Sequence, residues 1–114
     1  MPMIFKIVDA KAYDEARKRG QFIGAEIDLK DGYIHFSTAE QVIETAQRHF
    51  LGRENLLLLA VDDAALGADL KWEPSRGGQL FPHLYAPLTM AQVQWVKSLP
   101  WGGTEHSFPP ETFA

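Results

Sequence analysis

A chain of 114 residues is long enough to bury a core and short for two, so residues 1–114 are expected to form one domain with one principal site. Apolar residues make up 46% and charged residues 23%, the profile of a chain that folds alone. There is no cysteine, which excludes disulfides, thiolate metal sites and a cysteine nucleophile, and a net charge of −4 lacks the basic field that non-specific nucleic-acid binding requires.

In chain order, Met3 to Val8 reads as a short apolar strand. It follows neither a basic stretch nor a signal-type apolar region, and no run is long enough to span a bilayer, so the expected location is cytoplasmic. Ala10 to Arg19 has helix-forming composition and is stopped by Gly20. Gln21 to Asp31 mixes glycine and aspartate with isolated apolar residues and reads as a surface connection bordering a pocket. Tyr33 to Phe36 is β-prone; Thr38 and Gln41 then form a capping box that opens a helix with Val42, Ile43, Ala46 and Phe50 on its core face, stopped by Gly52.

Leu56 to Val61 is a continuous apolar run, the pattern of a central strand covered on both faces. Leu70 to Glu73 reads as a short strand, Pro74 to Gly78 as a flexible turn, and Leu84 to Leu88 and Val93 to Val96 as two further strands. The segment from Pro100 onward is expected to drape over the surface on the anchors Trp101 and Phe108.

Three segments could carry chemistry. Ile34 to Thr38 runs from a strand into a helix N-terminus, where backbone N–H groups hold anions and His35 and Ser37 add side-chain donors. The plain alternative is that Ser37 and Thr38 cap the helix while His35 is a core imidazole. Lys71 to Gly78 offers Trp72 for stacking, the Glu73 carboxylate, and Arg76 for a phosphate beside two glycines, or else a hairpin with a buried Trp72. In Phe81 to Leu88, His83 and Tyr85 are two apart and share one face of an extended segment.

Metal is not expected, because His35, His49, His83 and His106 match no ligand spacing. Nor does any Gly-x-Ser-x-Gly elbow support a hydrolase triad around Ser37 and His83.

Taken together, Asp31-Gly-Tyr-Ile-His-Phe-Ser-Thr-Ala-Glu-Gln41, Leu70-Lys-Trp-Glu73 and Phe81-Pro-His-Leu-Tyr-Ala-Pro-Leu88 resemble the bacterial family known as domain of unknown function 952. The resemblance implies an α+β fold of the ADP-ribosyltransferase type: a small, curved, split mixed or antiparallel sheet with two main helices beside a nicotinamide-nucleotide cleft. The transferases carry a His on the first strand for the nicotinamide ribose, where Ile4-Phe5-Lys6-Ile7 has Lys6.

The expectation is a pocket for a nucleotide-like or phosphorylated small molecule, with NAD or another nucleotide as its cofactor or ligand. Lys6, His35, Ser37, Thr38, Trp72, Arg76 and Tyr85 would bind it, and Glu73 and His83 would be the acid–base groups of any reaction, with Lys6 or Arg76 stabilising negative charge. The rival expectation is a non-catalytic binding or protein-interaction domain that retains the fold.

Overall fold

The computed structural model describes residues 2–114, the side chain of Arg76 excepted. Strand β1 (Met3–Asp9) leads into helix α1 (Ala10–Arg19). The Asp9 carboxylate caps α1 by accepting from the backbone N–H groups of Lys11 and Ala12 at 2.9 and 3.2 Å. Arg17, Lys18 and Arg19 in its last turn complement the helix dipole.

The expected surface connection is instead structured. It contains strand β2 (Gln21–Phe22) and helix α2 (Glu26–Asp31), so the described residues form three α-helices rather than two. Both elements are too short to show a hydrophobic period, which is why composition alone read as loop.

Strands β3 (Ile34–His35) and β4 (Ser37–Thr38) precede helix α3 (Ala39–His49). Gln41 Oε1 accepts from the Thr38 N–H at 3.0 Å, as the capping box predicts. Val42 and Ala46 are buried, whereas Ile43 is 43% exposed, so the core stripe is narrower than expected.

Strand β5 (Leu56–Asp62) is the core strand: Leu58, Leu59, Ala60 and Val61 are fully buried. Strand β6 (Leu70–Ser75) and strand β7 (Gln79–Leu84) form a hairpin whose turn is Arg76–Gly78, with positive φ at Gly77 and Gly78. Pro74 thus belongs to β6, an edge strand, where proline is tolerated. The strand expected over Leu84 to Leu88 ends at Leu84, and the chain turns before strand β8 (Leu88–Thr89). Strand β9 (Val93–Ser98) completes the set, and Trp101 and Phe108 are half-buried in the C-terminal segment.

Among the described residues all strand pairs are antiparallel, and they form three sheets in place of one: β4-β1-β5-β9, β2-β8 and β3-β7-β6. Alternation along β1 and β5 divides the core in two. Ile4, Val8, Leu59 and Val61 pack with Tyr13 and Ala16 of α1 and with Phe22, Ile34 and Phe36. Phe5, Ile7, Leu58 and Ala60 pack with Val42 and Ala46 of α3.

One edge of β1 pairs with β5 from Met3 to Asp9. Its other edge pairs with β4 only at Ile4 and Phe5. From Lys6 onward that edge has no strand partner among the described residues, and the sheet splits there. Among the described residues, no helix is long and apolar enough to cross a membrane.

Candidate functional site

Lys6 is the one charged residue within the apolar run of β1 and is 7% exposed. A buried ammonium needs a counter-charge, and Asp28 of α2, 1% exposed, supplies it with oxygens 3.0 and 2.9 Å from Lys6 Nζ. Asp28 also accepts from the Ala25 N–H at 2.8 Å, the His35 N–H at 3.1 Å and His35 Nδ1 at 2.6 Å. Burial pushes the Asp28 carboxyl up, but the bond from His35, the Lys6 charge and the remaining donors outweigh it and hold the pKa at about 2. Burial pulls the Lys6 ammonium below its ordinary range, against the charge of Asp28. The second nitrogen of His35, Nε2, lies 3.0 Å from Asp31 Oδ2.

Register brings the second histidine alongside the first. His35 of β3 pairs with His83 of β7, and their ring centroids lie 5.5 Å apart, edge to face. His83 is 2% exposed, and its Nδ1 is 2.8 Å from Glu73 Oε1 on β6. The Tyr85 hydroxyl donates to the same oxygen at 2.8 Å. The bonds from His83 and Tyr85 hold the Glu73 carboxyl below its usual range, so it is ionised at neutral pH. The bond to Glu73, with burial, pushes Tyr85 up to about 12, so its proton stays. Tyr33 stacks on His83 with centroids 4.1 Å apart and also touches the rings of His35 and Tyr85.

A cavity of about 580 Å³ opens where the sheet splits. Of the residues singled out in the sequence, Lys6, His35, Ser37 and His83 line it. Glu73 and Tyr85 reach it through His83. Thr38 does not line it; the Thr38 N–H is taken by Gln41. Trp72 pairs with Pro82, so alternation sets it on the face of β6 opposite Glu73, where it is 38% exposed rather than buried or in the cavity. The side chain of Arg76 lies outside the described residues.

Sequence reasoning missed Asp28, Asp31, Tyr33, Thr45 and Arg53, and weighed His49 only as a metal ligand. A buried partner for Lys6 was the signal for Asp28, since an apolar strand with one lysine requires a carboxylate from elsewhere. His49 and Arg53 line the cavity from the C-terminal end of α3 and the turn after it, and four phenyl rings, Phe5, Phe36, Phe50 and Phe81, supply its apolar wall. A second concavity of about 360 Å³ lies between α3 and the C-terminal segment, lined by Ile43, Leu51, Phe108 and Phe113 among others, and contains none of the motif residues.

No curated protein matches the chain. Solved structures do. The crystal structure of protein CC0527 from Caulobacter crescentus is 42% identical, with 98% of this chain and 99% of that one covered at a TM-score of 0.93. A crystal structure of a double mutant of CC0527 gives the same figures, 42%, 98%, 99% and 0.93. The solution structure of CC0527 is 46% identical over 93% of this chain and 91% of that one, with a TM-score of 0.83. The model of the family described as protein of unknown function DUF952 matches residues 7–96, a stretch that holds the paired histidines, their three carboxylate partners and the whole cavity wall apart from Phe5 and Lys6. The chain belongs to the DUF952 family.

Proposed function

We propose that the cavity binds a phosphorylated, nucleotide-like small molecule and that His83 is the acid–base group of any reaction there. The observation that carries this reading is His83 itself: Nδ1 is anchored by an ionised Glu73 while the ring borders a cavity within the usual size range of ligand pockets. An imidazole held in one tautomer by a carboxylate is the arrangement in which the other nitrogen exchanges protons with a ligand. Glu73, being ionised, orients the ring rather than donating a proton. Arg53 offers a positive group for a phosphate, and the phenyl wall suits a planar ring.

An ADP-ribosyltransferase-like ancestry is supported by the split beside β1, where such a fold places its nucleotide. The residues fit a nucleotide in general better than NAD in particular. Lys6, at the first-strand position of the ribose-binding His, has its ammonium engaged by Asp28. That same engagement favours the second reading, a binding domain without catalysis, since it withdraws Lys6 from stabilising charge on a ligand.

A thermal-shift titration with AMP, NAD, ribose 5-phosphate and inorganic phosphate tests the proposal. A ligand at about 100 times its Kd stabilises the folded state by roughly 2.7 kcal/mol. The expected result is a saturable rise in Tm with a phosphorylated ring compound, lost in Arg53→Ala and His83→Ala. No rise with any of them would overturn the nucleotide reading and favour an interaction domain; a rise without turnover of the bound compound would favour the non-catalytic reading.

A further inference from the structure

Strand β6 is the outer strand of its sheet, and along it only Leu70 and Glu73 are even half-buried. Which backbone groups it turns outward follows from the prolines. Pro82, opposite Trp72 on β7, has no N–H, and its carbonyl accepts from the Phe36 N–H on the β3 side at 3.0 Å. Trp72 and Pro82 are therefore a non-hydrogen-bonded pair, and the Trp72 N–H and C=O point away from β7. At the open end of the hairpin the Tyr85 N–H donates to the Asp69 carbonyl at 2.9 Å, which sets the same alternation. Leu70 and Pro74 share the outward parity of Trp72, but the Leu70 N–H is spent on the Gly67 carbonyl and Pro74 has none. Among the described residues from Leu70 to Pro74, the outward edge thus offers one donor, the Trp72 N–H.

The side chains of this edge are self-complementary about Trp72. Lys71 and Glu73 flank it on the face of His83 and Phe81, and Lys71 is exposed. On the other face Trp72 is 38% exposed, and Leu80, paired with Pro74, is 52% exposed. When two copies pair antiparallel about Trp72, the two tryptophans exchange both backbone bonds and each Lys71 falls opposite the second copy's Glu73. Centred one residue to either side, the pair would set Lys71 on Lys71 or Glu73 on Glu73. Glu73 accepts from His83 and Tyr85 on Oε1 alone, which leaves Oε2 for the second copy's Lys71.

We propose that two copies of this chain associate through β6, edge to edge and antiparallel about a two-fold axis at Trp72, joining their three-stranded sheets. Each Lys71 then donates to Oε2 of the Glu73 that anchors the other copy's His83, so the contact surface and the site are continuous. Pro74 and the engaged Leu70 N–H end the ladder after its two central bonds, which limits the edge to this register and closes it to further strands. The pairing holds whatever ligand the cavity takes.

Sedimentation equilibrium of the full chain from about 10 μM to about 1 mM is the test, since a small interface associates in that range. The parent should show a monomer–dimer equilibrium. Lys71→Glu and Glu73→Lys, each alone, set like charges opposite one another and should each weaken it at least roughly tenfold. Between them the two variants restore both opposite-charge contacts. Their equimolar mixture should therefore dimerise where neither does alone, a recovery that misfolding would not produce. Trp72→Pro removes the outward donor and leaves the bonds to β7 intact, so it should stay monomeric with the amide spectrum of the other elements unchanged. A parent that is monomeric throughout, or a mixture that associates no better than its components, would overturn the inference. So would a folded Trp72→Pro chain that dimerises like the parent.

Discussion

Lys6 and Asp28 form a pair whose two members depend on each other. The ammonium is buried in an apolar strand, and the carboxylate receives it together with two backbone N–H groups and an imidazole. Removing one charge of such a pair leaves the other buried without compensation, which costs about 3–5 kcal/mol. Lys6→Met should therefore lower unfolding stability by that order in a urea titration, and Lys6→Met with Asp28→Asn should recover part of it. The pH dependence follows from the same carboxyl. Its folded pKa, about 2, lies below its ordinary value of 3.8, so its contribution is fully present above pH 4 and is lost as pH falls through 2. Asp28→Asn should flatten the stability curve across that interval, and an unchanged acid limb would show that other carboxylates set it.

At the scale of elements, α2 is six residues long and has only Asp28 buried. Its position depends on that side chain, and Gly24 has to leave room for it. Gly24 has φ +124°, and a Cβ built there would lie 2.8 Å from Asp28 Cβ. Gly24→Ala should cost roughly 1–3 kcal/mol through strain and overpacking and should disturb the His35 signals in NMR spectra. A Tm within a degree of the parent would mean that α2 shifts freely.

The elements legible in the sequence were those long enough to carry a pattern or a cap: β1, α1, α3, β5, β6 and β9. The two-residue strands and α2 have neither, and their places are fixed by pairs such as Phe22 with Leu88, which no local window contains. The candidate site was partly legible for the same reason. His35, Ser37 and His83 sit in recognisable segments, but Asp28 and Arg53 reach the cavity only through tertiary packing. Trp72 was misplaced because alternation in β6 depends on a register set by its partner β7.

For the whole molecule, the order of strands has a cost in time. β1 pairs along its full length with β5, about half the chain away, from Met3 with Asp62 to Asp9 with Leu56. Contacts so distant in sequence slow folding. During synthesis at ~5–20 residues per second, β1 leaves the ribosome seconds before its partner exists. Through that wait it is a bare β-prone segment, the kind that joins other chains edge to edge. A charge in the middle of such a run is an effective guard against that pairing. Lys6, which the folded protein must neutralise with a buried aspartate, is that charge in the nascent chain.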